Sequence, residues 1–290
     1  MTRPADSQHG VLVLSCQDAP GIVHAVSGLL VQERCTIVES HQFHSDAGEM
    51  FYLRVEFADV DGEPLDLDGL RRAFEPVAER FGMRWRLVDV AERQRVVIMV
   101  SQYAHCLNDL LFRNSIGELN LDVVAVVSNH TALRSTAEFY GIPFHHIPVT
   151  RETKPEAEAA LLEIVREQRV ELVVLARYMQ ILSDDLCRAL DGRAINIHHS
   201  FLPSFKGARP YHQAHVRGVK LIGATCHYVT ADLDEGPIIE QDVIRVDHTA
   251  TVKDMVRQGR DAEKLVLAKG LRWHLEDRVL VHGGRTVVFT

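Results

Sequence analysis

The chain has 290 residues, 46% hydrophobic and 25% charged, with a formal net charge of −8. That length allows more than one domain, and the acidic balance, with no Lys/Arg run, speaks against nonspecific nucleic-acid binding. The five cysteines (Cys16, Cys35, Cys106, Cys187, Cys226) lack CxxC spacing, which speaks against a disulfide framework; with no signal-like leader and no apolar run of the roughly 18–20 residues a membrane span needs, the chain reads as cytoplasmic.

Residues 10–16 form a β-rich run. Asp18-Ala19-Pro20-Gly21 follows, a turn whose aspartate suits a helix cap, and Ile22, Val23, Val26, Leu29 and Leu30 then recur at helical spacing. Strands are expected over 35–43 and 49–57, separated by the turn-like Ser45-Asp46-Ala47-Gly48. A helix over about 66–81 presents Leu67, Leu70, Phe74, Val77 and Phe81 on one side, with Pro76 a candidate kink. A closing strand over 83–88 completes βαββαβ, a ferredoxin-like order. This sets a first domain at 8–90, a charged linker at 91–95 and a second domain at 96–290.

The second domain alternates strand and helix. Apolar runs at 96–100, 121–127, 171–175 and 194–197, with a short strand in 142–149, alternate with helices through Leu107, Leu110 and Leu111, from about 131, and over 154–168. That pattern predicts a mainly parallel, doubly wound sheet, which binds ligands at the carboxyl ends of its strands. Two further strands, 221–229 and 237–246, flank a loop carrying Asp234, and 251–276 reads as a long final helix. No GxGxxG or Walker loop follows the first strand; Ser101-Gln102-Tyr103-Ala104-His105-Cys106-Leu107 stands there instead.

The chemistry concentrates at Asn196-Ile197-His198, at Leu202-Pro203-Ser204-Phe205-Lys206-Gly207, and at Asp232-Leu233-Asp234-Glu235-Gly236-Pro237. An amide, an imidazole and a carboxylate suit reaction at a carbonyl. Taken singly, an Asn at a strand end serves most often as a turn or cap residue, a His serves structure, and an Asp before Gly makes a hairpin turn.

These three segments, in this order and spacing, resemble the active site of folate-dependent formyltransferases. The resemblance implies that Asn196, His198 and Asp234 surround the formyl group of 10-formyltetrahydrofolate, and that residues Met179, Gln180, Ile181 and Leu182 line the folate, with the backbone at Gln180 and Leu182 pairing with the pterin. It implies that Asn196 and His198 stabilise the oxyanion and that Asp234 positions or activates water, with the order of proton transfers open. The first domain resembles ACT regulatory domains, which implies an amino-acid effector at Asp18, Gly21 and Ile22 and a homo-oligomer; a plain helix cap and an assembly role remain alternatives there.

An ACT-like domain fused to this catalytic pattern, with a doubled histidine and no phosphate loop, is similar to the formyltetrahydrofolate deformylase family. That implies hydrolysis to formate and tetrahydrofolate, balancing one-carbon pools and supplying formate for purine synthesis. The alternatives are formyl transfer to an amine such as glycinamide ribonucleotide, or a non-catalytic folate or amino-acid sensor. No cofactor is expected and no metal, because HExxH and recurrent His/Cys ligand spacing are absent. His199, Tyr211, His212 and His227 are read as structural, and Cys106 as a small buried residue.

Overall fold

The first nine-residue strand, β1 (His9–Gln17), buries every second side chain along most of its length, which fits a strand with one face on a core. The computed structural model describes residues 8–45, 49–203 and 210–290. After β1 come α1 (Ile22–Gln32), β2 (Cys35–Ser45), β3 (Met50–Asp59), α2 (Leu67–Phe81) and β4 (Arg84–Asp89). The strands pair antiparallel in the order β2-β3-β1-β4, the arrangement that the ferredoxin-like order predicts. Leu12, Leu14, Ile22, Val26, Phe57, Leu70 and Phe74 form the core between sheet and helices, and Trp85 meets Phe74 edge-on at 4.8 Å between ring centroids.

One detail of this unit differs from the sequence reading. Asp18 does not cap α1: Gly21 takes the cap position at φ 97, a conformation glycine adopts without strain, and the Asp18 carboxylate pairs with His44 Nδ1 at 2.8 Å. Pro76, the candidate kink, lies inside α2, which runs on to Phe81 as expected; its ring deprives the carbonyl of the exposed Arg72 of an intrahelical partner. The turn expected at 45–48 has residues 46–48 outside the described residues.

The second unit continues through β5 (Gln94–Val100), α3 (His105–Ser115), β6 (Leu121–Ser128), α4 (Arg134–Phe139), β7 (Phe144–His146), α5 (Lys154–Glu167), β8 (Leu172–Leu175), α6 (Asp184–Ala189) and β9 (Ala194–His198). Then follow α7 (Pro210–Arg217), β10 (Leu221–Tyr228), β11 (Ile238–Arg245), α8 (Val252–Leu275), β12 (Val279–His282) and β13 (Arg285–Val288). The large sheet has the order β11-β10-β9-β8-β5-β6-β7. Its pairs from β9 to β7 are parallel, and β10 and β11 are antiparallel. This is the mainly parallel sheet expected from runs such as Val96–Val100, which is buried throughout. Pro143 and Pro148 confine the strand expected over 142–149 to three residues.

The short helices α6 and α7 and the terminal hairpin of β12 and β13 carry too few periodic residues to be read from sequence. The boundaries also shift. Residues 94–95, assigned to the linker, begin β5, and residues 276–280 and 287–290 cluster with the first unit instead of the second. Arg54 Nε donates to the Glu276 carbonyl at 3.0 Å, Arg278 pairs with Glu39 at 2.8 Å, and the buried Phe289 stacks on His41. Among the described residues no helix is long and apolar enough to cross a membrane.

Candidate active site

β9 is the strand at which the large sheet changes from parallel to antiparallel pairing. Asn196 and His198 are two residues apart on it, so their side chains leave the same face. Asp234 comes from the loop between β10 and β11, where it adopts φ 59. Its Oδ1 lies 3.1 Å from His198 Nδ1, and both side chains are largely buried. The loop is held close by Gly236, where a Cβ would overlap the Tyr228 carbonyl oxygen, and by the Tyr228 N–H, which donates to the Pro237 carbonyl at 2.9 Å. The three residues singled out in the sequence therefore meet in one place.

Sequence reasoning set His227 aside, and the structure gives it a specific task. Strand β10 pairs antiparallel with β9, and His227 is the residue directly opposite Asn196. His227 Nδ1 donates to the Tyr228 carbonyl at 2.8 Å, so Nε2 is the acceptor nitrogen of the neutral ring. That nitrogen receives the Asn196 amide, with Nδ2 3.1 Å away. Burial first, opposed by the Tyr228 hydrogen bond and the Asp234 charge, lowers the His227 pKa and keeps the ring neutral. One amide hydrogen of Asn196 is thus engaged, and the orientation of the group is set. Only the strand register, which no sequence period encodes, could have revealed this.

Thr225 on β10 holds the chain beyond His199. Thr225 Oγ1 donates to the Ser200 carbonyl at 3.0 Å and accepts from the Leu202 N–H at 3.1 Å. Gln241 Nε2 bridges Thr225 Oγ1 and the Leu202 carbonyl at 2.9 and 3.1 Å. The expected motif continues into residues 204–207, which lie outside the described residues.

A cleft of about 340 Å³ opens over the triad. Its walls include Asn196, His198 and Asp234 together with residues 179–182, so the stretch expected to line the folate and the catalytic candidates share one space. The segment after β8 is irregular; Met179 and Ile181 are exposed, and the Met179 N–H is held by Ser101 Oγ at 2.9 Å. Gln180 and Leu182 make no backbone bond to another described residue, which leaves their peptide groups available to a ligand. By contrast Asp18, Gly21 and Ile22 belong to the first unit, and the Ile22 side chain is packed in its core at 2% exposure.

The electrostatics separate neighbouring groups. The Asp234 carboxyl is pushed up by burial, but the His198 hydrogen bond and the charges of the surrounding imidazoles outweigh this and hold it below its ordinary value. His199 is driven down to about 3, first by burial and then by the charges of Arg177 and His198. It is neutral at physiological pH. His198 Nε2 is buried and has no hydrogen-bond partner among the described residues.

Beside the triad lies a second polar cluster, built on Glu263 of α8. His105 Nε2 bonds its Oε2 at 2.7 Å and the Tyr211 hydroxyl donates to Oε1 at 2.8 Å. His105, Cys106 and Glu263 bring their ligand atoms within 4.8 Å of one another, a grouping that could in principle hold a metal. The donor set suits one poorly. Both Glu263 oxygens are occupied, and burial, followed by the Glu263 charge, pushes the Cys106 thiol well up, away from the thiolate a metal needs.

The sheet, the strand-end triad and the cleft define the second unit as a formyl-transfer-type catalytic body, and the Formyl transferase family profile matches residues 94–271. The formyltetrahydrofolate deformylase of Corynebacterium sp. (strain P-1) is 55% identical over 278 residues, 96% of this chain and 97% of that protein. The crystal structure of a formyltetrahydrofolate deformylase from Pseudomonas syringae pv. tomato aligns with a TM-score of 0.95 at 52% identity, covering 99% of this chain and 96% of that one. Glycinamide ribonucleotide transformylase 1 from Symbiobacterium toebii aligns with a TM-score of 0.64 at 30% identity, covering 68% of this chain and 95% of that one. The chain belongs to the formyltetrahydrofolate deformylase family.

Proposed function

We propose that this protein hydrolyses 10-formyltetrahydrofolate to formate and tetrahydrofolate. The observation that carries the reading is the convergence of the Asn196 amide, the His198 imidazole and the Asp234 carboxylate at one cleft that also exposes residues 179–182. The folate lies along those residues and pairs with the free peptide groups of Gln180 and Leu182. This delivers the formyl carbon to the triad.

Water then adds to that carbon. The amide hydrogen of Asn196 not engaged by His227 bonds the developing oxyanion. His198 Nε2 takes the proton of the attacking water while Nδ1–H remains on Asp234, whose charge stabilises the imidazolium. The imidazolium returns the proton to N10 as the C–N bond breaks. No metal or organic cofactor enters these steps.

The wider reading is that the protein acts in the cytoplasm as a homo-oligomer, balancing one-carbon pools and supplying formate for purine synthesis. The first unit is an ACT-like regulatory module. Its candidate effector site is the start of α1, where Asp18 and Gly21 precede the free N–H groups of the first turn. Ile22 contributes its backbone there, because its side chain lies in the core.

The test supplies 10-formyltetrahydrofolate without an acceptor amine. Formate and tetrahydrofolate are expected in equal amounts, and Asn196→Ala should lower kcat by roughly 10²–10³, the usual cost of one oxyanion donor. Asp234→Asn should lose turnover while keeping folate binding. Turnover only after glycinamide ribonucleotide is added would replace hydrolysis with transfer, and normal turnover in Asp234→Asn would end the role given to that carboxylate.

A further inference from the structure

Arg177 is a buried charge in the cleft that the reaction above does not use. It follows β8 by two residues, adopts φ 67 and is 8% exposed. Leu175 is in parallel register with Asn196, so the chain ends leaving the sheet side by side carry Arg177 and His198. Both residues line the same cleft. The guanidinium carbon sits 5.2 Å from the centre of the Tyr103 ring, and that of Arg260 lies 5.4 Å from the same centre.

Its nearest acid does not satisfy it. Glu263 Oε2 is bonded by His105 and Oε1 by Tyr211, and Arg177 Nε stands 3.4 Å from Oε2 without hydrogen-bond geometry. Nε and Nη1 are buried and have no hydrogen-bond partner among the described residues. Buried guanidinium nitrogens are nearly always bonded, so an Nη1 left open beside the cleft points to a ligand that completes it. With Nε turned to Glu263, the edge of the guanidinium formed by Nη1 and Nη2 presents two parallel N–H groups, which match a carboxylate. His199, which also feels the Arg177 charge, is neutral.

We propose that Arg177 is the seat of the product anion: it binds formate, a small planar carboxylate, as it leaves the formyl site. The inference rests on the hydrolase reading. Water oxygen bonds to the formyl carbon, the C–N10 bond breaks with its electron pair going to nitrogen, and N10 gains a proton. The second water proton is released to solvent, leaving HCOO⁻. Arg177 draws this anion away from the Asp234 carboxylate, which repels it, and so separates the two products within the cleft.

The experiment measures binding of [¹³C]formate to the full chain by NMR line broadening, without folate and at constant ionic strength in chloride. The wild type should bind formate, Arg177→Gln should weaken it roughly tenfold or more, and Arg177→Lys should weaken it less, since lysine keeps the charge but loses the fork. Equal affinity in a folded Arg177→Gln, or displacement of formate by chloride at equal concentration, overturns the proposal. If Arg177→Gln does not fold, Arg177→Lys decides: unchanged affinity there overturns it equally. A parallel hydrolysis assay keeps the two readings apart. Wild type that hydrolyses but binds no formate removes only the anion seat. Wild type that binds formate through Arg177 but does not hydrolyse upholds the seat and removes the hydrolase reading.

Discussion

His198 and His199 are neighbours in sequence with opposite surroundings. His198 is held at Nδ1 by Asp234 and its Nε2 has no hydrogen-bond partner among the described residues, whereas His199 is pushed down to about 3 by burial first and then by the charges of Arg177 and His198. A doubled histidine therefore supplies one ring paired to a carboxylate and one neutral wall, a distinction that depends on burial and partners and not on residue type. The sign of the consequence follows. Below its ordinary value of 6.5, His199 in the unfolded chain takes a proton that the folded protein refuses. Its contribution to stability is thus complete above about pH 6.5 and is lost progressively as pH falls toward about 3. Long-range ¹⁵N correlation of the imidazole rings should find His199 neutral and non-titrating between pH 5 and 8. A midpoint near 6.5 would contradict this environment.

The site is assembled by elements rather than by single residues. Strand β9 presents Asn196 and His198 on one face, β10 sets His227 against Asn196, and the loop leaving β10 returns Asp234 to His198. The return depends on Gly236, which packs its Cα against the Tyr228 carbonyl, the same carbonyl that fixes the His227 tautomer. Gly236→Ala should therefore cost about 1–3 kcal/mol through overpacking and shift Asp234 from His198. A chemical denaturation curve together with kcat measures both. Stability and kcat equal to wild type would show that the loop accommodates a methyl group and that the close approach is not needed.

At the scale of the whole molecule the chain forms two units, and the terminal segments are divided between them. In the first, Arg54 is almost fully buried and reaches Glu39 at 2.8 Å, Glu56 at 3.5 Å and the Glu276 carbonyl at 3.0 Å. Arg278 shares Glu39, and His9 shares Glu56 at 2.8 Å. Removing one member of such a buried set leaves uncompensated charge, which typically costs about 3–5 kcal/mol. Arg54→Ala should lower the denaturation midpoint accordingly and speed amide exchange in β1 and β3. A change under about 1 kcal/mol would mean that water replaces the guanidinium there.

Much of the function was legible along the chain. Asn196, His198 and Asp234 stand in a fixed order at strand ends, and chemistry at a carbonyl needs those groups, so their spacing alone carried the resemblance. The alternation of apolar runs and amphipathic helices likewise specified the parallel sheet, because burial on both faces leaves a local trace. The partnership of His227 with Asn196 left none: it is set by the register between β9 and β10, a long-range pairing whose period-2 pattern is the same in every register that keeps the faces aligned. The Glu263 cluster gathers Arg177, His105 and Tyr211 from separate elements, and the terminal segment reaches the first sheet through polar bonds with no apolar period to announce them. Local patterning determined the elements and the reacting groups. Tertiary structure decided which ring orients the amide, which histidine stays neutral and which buried guanidinium keeps nitrogens without a hydrogen bond among the described residues, because those depend on distances and burial between residues far apart in the chain.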